Sequence, residues 1–133
     1  MENRPKIKLN LSNLDNILEL TSKVLLVVLW ALTLFTYVKL PETIPIHFNA
    51  SGKADNFGSK ATLLLLPFLG TLFYLGLTQL NKYPHIFNYM TKITVDNAQK
   101  HYSTATRMLR FLKLAVLIIF SLLILLTYMT TIG

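Results

Sequence analysis

The sequence predicts an all-α membrane protein with three transmembrane helices, an ordered extracytoplasmic loop between the first two and a cytoplasmic amphipathic helix leading into the third. Three observations predict it. The 133 residues are 53% hydrophobic and only 14% charged, against roughly a quarter charged in a soluble domain. The apolar residues are gathered into long unbroken runs, so they are not the inward faces of amphipathic elements around a water-soluble core. The basic residues stand beside those runs, as juxtamembrane charges do. The chain reads as one membrane domain over residues 1–133, with spans at about 20–39, 61–81 and 110–132, an outer loop at 40–60 and an inner loop at 82–109.

Ahead of the first span, Leu11, Leu14, Ile17 and Leu18 fall on one helical face and Asn13, Asp15, Asn16 and Glu19 on the other. Ser12 and Asp15 have the spacing of a variant capping box, and the segment reads as an interfacial helix lying on the inner leaflet. The first uncharged run, 24–38, is bracketed by Lys23 and Lys39. It covers about 22 Å of a roughly 30 Å hydrocarbon core. The two lysines extend it by burying their stems and sending their ammonium groups to the interfaces, and Leu18 and Leu20 extend its apolar surface backwards. Trp30 sits deep in the span. A basic start and a short apolar run also fit a cleavable signal peptide, but Lys39, Leu40, Pro41, Glu42, Thr43, Ile44 and Pro45 lack the small-residue cleavage pattern. The second run, 61–81, holds no charge, and Pro67 inside it frees the carbonyl of Leu63, which predicts a kink. The third run, 114–133, carries the chain to the far headgroup layer.

Orientation follows from counting Lys and Arg. Arg4, Lys6, Lys8, Lys23, Lys82, Lys92, Lys100, Arg107, Arg110 and Lys113 put ten on one side, and Lys39, Lys53 and Lys60 put three on the other. The amino terminus and the inner loop are therefore expected in the cytoplasm, and the outer loop and carboxy terminus outside.

In the outer loop, Pro41 and Pro45 fix an extended entry and Ile44, Ile46 and Phe48 alternate like a strand. Asn-rich stretches ending in Gly52 and Gly58 supply two tight turns. Phe48 and Phe57 are expected to fold down onto the membrane or the helix ends. His47, Asn49, Ser51 and Asp55 bring an imidazole and oxygen donors within nine residues, a composition that suits a cation. Lys53 in their midst opposes one, no second His or Glu is near, and Lys60 breaks the calcium-loop pattern, so no metal is expected. Two readings of these polar residues stand side by side: they hold the turns through backbone hydrogen bonds, or they touch a partner outside the membrane. Loops carried on a rigid scaffold are where binding usually sits, which makes His47, Phe48, Asn49 and Asp55 the candidate binding residues.

In the inner loop, Pro84, Phe87 and Tyr89 suggest a hook packed against the bilayer. Val95, Ala98, Tyr102, Ala105 and Leu109 form an apolar packing stripe on a helix running into the third span. Arg107, Arg110 and Lys113 read as topology determinants and anionic-lipid contacts. His85 and His101 lie across the membrane from His47 in this topology.

Several function classes are excluded. The chain has no cysteine, hence no disulfide, thiolate zinc site or thiol nucleophile. No Asp, Glu, Lys, Arg or His falls within the three runs, which argues against coupled transport. There is no His-Glu-x-x-His, Gly-x-Ser-x-Gly, phosphate-cradling glycine loop or dinucleotide fingerprint, so neither an enzyme nor a cofactor is expected. The formal charge of +7 comes without a recognition helix or aromatic-interleaved basic pattern, so no nucleic acid is expected as a partner.

Residues 40–60 closely resemble the signature of a bacterial domain-of-unknown-function membrane family found at the amino terminus of SdpI-type immunity proteins. Ile44-Pro45-Ile46-His47-Phe48-Asn49, flanked by Pro41, leads to Gly52, Asp55 and Gly58-Ser59-Lys60. The inner loop is similar to that family's second loop through Tyr83-Pro84-His85-Ile86-Phe87-Asn88-Tyr89, Asp96-Asn97-Ala98, Tyr102 and Arg107-Met108-Leu109-Arg110. The resemblance implies a multi-pass protein of the bacterial cytoplasmic membrane that binds a secreted peptide or toxin, giving immunity or sensing. In SdpI-type proteins further membrane helices follow this module. Two other readings remain open: an accessory or scaffold subunit of a larger membrane complex, for which Gly70, Thr71 and Gly76 allow close helix approach, and a metal-assisted membrane enzyme centred on His47 and Asp55.

Overall fold

The computed structural model describes residues 3–133. Helix α1 covers Asn13–Lys39, a hairpin of strands β1 (Thr43–Phe48) and β2 (Ala54–Ser59) follows, a 3-10 turn over Lys60–Leu64 runs into α2 (Leu65–Leu80), and α3 covers Ala98–Ile132. The segments Asn13–Lys39, Lys60–Leu80 and Ala98–Ile132 are each long and apolar enough to cross a membrane. The protein is therefore mostly helical and of the multi-pass membrane type, with one small antiparallel sheet in the ordered loop where the sequence predicted a single strand-like segment. The hairpin lies at one end of the bundle, and an extended strap ahead of α1 lies at the other.

Ser12 starts α1 with a reciprocal capping box. Its hydroxyl accepts from the Asp15 amide at 3.1 Å, and the Asp15 carboxylate accepts from the Ser12 amide at 2.9 Å. From there the helix runs unbroken to Lys39, so the expected interfacial helix and the first span are one element. The physical reason is plain in the sequence: no Gly or Pro interrupts residues 13–39. The polar face of α1, expected at the membrane surface, is turned into the bundle instead. Asp15 and Leu18 are buried in the bundle with Ser22, Leu29, Thr33 and Thr36, while Leu14 and Ile17 are exposed. In a lipid solvent an apolar face gains nothing by turning inward, and the polar face gains partners.

Those partners are on α3. Its buried stripe runs Ala98, Tyr102, Thr106, Arg110, Lys113, Leu117, Ile124 and Thr127, which places two cations against the acidic turn of α1. Arg107 Nε lies 2.8 Å and Arg110 Nη1 3.6 Å from Asp15; Arg110 Nε lies 2.9 Å and Lys113 Nζ 2.8 Å from Glu19. Lys113 is only 1% exposed; its ammonium also donates to Thr78 Oγ1 at 2.9 Å and sits 4.7 Å above the Tyr74 ring. One side chain thereby joins all three helices. Arg107, Arg110 and Lys113 were expected to face lipid headgroups; instead they pair inside the bundle, because Asp15 and Glu19 stand one turn apart where α1 crosses α3.

Further toward the hairpin, Trp30 Nε1 donates to Thr71 Oγ1 at 2.9 Å, which gives the deep indole its partner. Gly70 allows α2 to approach: a Cβ there would meet Leu29 Cδ2 at 3.0 Å, with Leu117 and Phe120 just beyond. Pro67 does not kink a long helix. It is the third residue of α2, where the amide has no intrahelical acceptor to lose, and the 3-10 turn ahead of it absorbs the change of direction.

At the other end the strap is held by named bonds. Arg4 donates to the carbonyls of His85 and Phe87 and its guanidinium lies 5.3 Å over the Tyr89 ring. The Tyr102 hydroxyl donates to Pro5 O at 2.8 Å. Ile7 and Leu9 pack with Ile93, Ala98, Tyr102 and Tyr89 into a second apolar cluster. Tyr89 thus packs inward against the strap and α3 instead of against the bilayer, and burial with the Tyr102 neighbour pushes its phenol up to about 12, against the opposing pull of Arg4. Val95 is 80% exposed and lies ahead of α3, outside the stripe expected of it.

Removing one partner of a buried ion pair leaves the other uncompensated. Glu19 is a third exposed, so Glu19→Gln is expected to destabilise the bundle by about 2 kcal/mol, below the range for a fully buried pair. Reversible unfolding in bicelles checks this, and the loss should change little between low and high salt because the network is shielded from counterions.

Candidate functional site

The hairpin is built from sequence features that each have a local job. The strands pair antiparallel, Thr43 with Ser59, Ile44 with Gly58 and Pro45 with Phe57, and the register slips between Pro45 and His47. Pro45 has no amide to give to the ladder, and the irregularity falls beside it. Strict alternation is lost as a result: Ile44 and Pro45 are both buried, and Ile46 is 41% exposed. Gly52 alone has a positive φ, +81°, at the turn, as a tight connection requires. Gly58 is not a turn residue. It lies inside β2, where Ile46 Cδ1 fills the space a side chain would take, 2.9 Å from an added Cβ.

The hairpin is fixed to the bundle at its base. Ile44 and Leu40 join Leu29, Leu63, Leu117 and Ile124 in the main apolar core. Lys60 sends its ammonium back to the carbonyls of Tyr37 and Leu40 at 3.0 and 3.2 Å and lies 4.5 Å over the Tyr37 ring, so it caps the carboxy end of α1. Ser59 Oγ accepts from the Ala61 amide at 3.2 Å and starts the following 3-10 turn. Ser59-Lys60 is therefore a joint between hairpin and helices.

Of the four candidate binding residues, two meet directly. His47 Nδ1 and Asp55 Oδ1 are 2.6 Å apart across the strands, with side chains 67% and 42% exposed. Asn49 is turned into its own loop: its Oδ1 accepts from the Ser51 amide at 3.0 Å, the Ser51 hydroxyl at 2.8 Å and the Lys53 amide at 3.0 Å. Its backbone amide donates to Lys53 O at 2.9 Å. Phe48 is half-buried and folds toward the helices, as expected, where it lines a groove of about 410 Å³ with Ile46, Leu66, Leu69, Leu123 and Thr127. Phe57 is not packed on the helix ends; it is 58% exposed. The hairpin thus presents an exposed imidazole–carboxylate pair, two exposed apolar side chains and an apolar groove at its foot. Ile46 and the groove-lining residues of α3 were missed in the sequence, where nothing links residue 46 to residue 123. Among the described residues no three His, Cys, Asp or Glu side chains come together as a metal site would require.

This arrangement defines a class, a multi-pass membrane protein whose first two spans are joined by a structured hairpin. Residues 24–71, from within α1 through the hairpin into α2, match a family described as a domain of unknown function, DUF1648. An uncharacterized protein of Archaeoglobus fulgidus is 41% identical over 68 residues, an alignment that takes in 45% of this chain and 37% of that protein. The chain thus spans little more than a third of the curated relative it matches. No solved structure matches it.

Asn49→Ala removes one acceptor that serves three donors. The expected loss in the hairpin turn is about 1–2 kcal/mol, read as faster hydrogen exchange at the Ser51 and Lys53 amides, while the α1 amides keep their protection.

Proposed function

We propose that the chain is an integral membrane binding protein of SdpI type, whose hairpin faces outside the cell and meets a secreted peptide or toxin at the membrane surface. The observation that carries this reading is the exposed His47–Asp55 pair on a hairpin anchored rigidly to the bundle, with the Phe48 groove beside it. The pair offers polar recognition, and the groove offers a place for an apolar side chain of the partner, the combination that ligand sites usually use. In this reading Phe48 shapes the groove and Asn49 holds the turn that presents the pair. The protein acts by binding, without chemistry of its own and without a cofactor.

The orientation is part of the proposal. With Arg107, Arg110 and Lys113 paired internally, Arg4, Lys6, Lys8, Lys23, Lys82, Lys92 and Lys100 leave seven cations at or toward the strap end against Lys39, Lys53 and Lys60 at the hairpin end. That bias favours a cytoplasmic strap and an external hairpin. A bacterial cytoplasmic membrane follows from the resemblance of the loop sequences.

A second reading, as a subunit of a larger membrane complex, has one observation in its favour. Gly70 is used inside the bundle, but a Cβ at Gly76 would meet nothing within 4 Å, and Leu69, Leu72, Phe73, Leu77 and Leu80 flank a shallow apolar groove there of about 310 Å³.

Photo-crosslinking in native membranes from a reactive analogue at Phe57 separates the two. Capture of a small secreted peptide, lost in Asp55→Ala and reduced in His47→Ala while both variants stay inserted, is the expected result; capture unchanged in both would sink the binding reading. A crosslink to a larger membrane protein, abolished by Gly76→Leu, would favour the subunit.

A further inference from the structure

At the strap end three segments meet around a pocket of about 340 Å³ lined by Lys6 of the strap, Lys82 and His85 after α2, and the rings of Tyr83 and Tyr102. Lys6 is distant in sequence from Lys82 and His85, yet the three residues border one space, and among the described residues no Asp or Glu lines it. Of the described acidic groups at this end, Asp15 and Glu19 are committed to Arg107, Arg110 and Lys113, and Asp96 does not line the pocket. No carboxylate of the described residues lies within ion-pair distance of Lys6 or Lys82.

The carbonyl end of α2 points this way and would ordinarily disfavour an anion. Here its last carbonyls are occupied, Leu77 O by the Asn81 amide, Gln79 O by the Lys82 amide and Leu80 O by the Tyr83 amide. The Tyr102 hydroxyl is directed to Pro5 O, so it holds the strap wall in place. Tyr83 is 44% exposed just past the end of the second apolar span, where tyrosine rings mark headgroup depth. The pocket is therefore a recess bordered by basic residues just past the end of the second apolar span.

We propose that this pocket binds a phosphate group, with Lys6 and Lys82 as the charged donors and His85 as a third contact. Its source is the headgroup of an anionic phospholipid or a free phosphoanion at the same surface; the depth of the site favours the lipid. Binding there would clamp the strap to the α2 end, since Lys6 is on the strap and Lys82 on the helix exit.

The test uses the full chain in nanodiscs of neutral phosphatidylcholine, with phosphatidylglycerol titrated in. Retained lipid is counted by native mass spectrometry, and inorganic phosphate is titrated separately into the neutral discs. Each lysine near an anionic surface contributes enough for the Lys6→Gln/Lys82→Gln variant to lose affinity by roughly tenfold or more. Lys100→Gln, an exposed lysine at the same end but outside the pocket, should lose almost none. Selective phosphatidylglycerol retention with that pattern establishes a lipid site; inorganic phosphate binding with the same pattern establishes a free phosphoanion site. Equal losses in Lys100→Gln and the pocket variant would reduce the effect to diffuse surface charge and overturn the proposal, as would no saturable binding of either probe. Both pocket lysines are solvent-exposed, so their replacement leaves the fold intact, which circular dichroism verifies.

Discussion

The structure depends on Lys113. Apolar side chains gain nothing by leaving lipid for the interior of a helix bundle, so the forces that decide which helix faces meet are packing and polar pairing. Lys113 is almost fully buried and meets Glu19 of α1, Thr78 of α2 and the face of Tyr74 at once. An unpaired ammonium at that position would be costly, and each contact fixes the rotation of a different helix. Arg107 and Arg110 extend the same link by closing on Asp15, which also caps its own helix. The network sets the rotation of α1 so that its polar turn faces in, and the facing of Leu29, Trp30 and Thr33 follows from it along the same helix.

From that framework the two ends are built differently. At the hairpin end the chain is short between elements and the joint is made by side chains that cap helix termini: Lys60 closes α1, Ser59 opens the turn into α2, and Ile44 inserts into the core. At the other end the strap, residues 3–12, has no regular structure, and it is held by Arg4 and Tyr102 bonding to backbone carbonyls around an aromatic cluster. The hairpin that carries His47 and Asp55 is thus fixed at its base by capping bonds and core packing.

The three spans were legible because lipid solvation leaves a compositional record: unbroken apolar runs need no partner to be recognised. The capping box at Ser12 was legible for a similar reason, being local. The burial of the polar face of α1 was not, because the pattern that turns Leu11, Leu14 and Ile17 toward lipid is the same whether Asp15 and Glu19 face headgroups or another helix. The pairing of Asp15 and Glu19 with residues some ninety positions away could be found only by knowing which helices cross. Within the candidate site, the His47–Asp55 contact was out of reach even once a hairpin was assumed, since a turn centred on Ser51 and Gly52 sets His47 opposite Asn56, and the register shifts on either side of His47 leave Asp55 within its reach. The bulge beside Pro45, which exposes Ile46 and opens the groove, depends on ladder geometry that the strand-like alternation concealed.

The boundaries of the family match sharpen what belongs to what. Residues 24–71 contain the hairpin, both glycines that shape it, Ser59, Lys60, Leu29 and Gly70, which is nearly everything needed to set the hairpin on the first two spans. They contain none of Asp15, Glu19, Arg107, Arg110 or Lys113. The matched segment therefore builds the presenting surface, and the remainder of this chain supplies the ionic clamp that sets that surface on a third helix. Leu123 and Thr127, which complete the groove beside Phe48, come from that third helix. The His47–Asp55 pair lies wholly within the matched segment, whereas the groove beside Phe48 is finished by α3, so the pair and the groove rest on different parts of the chain.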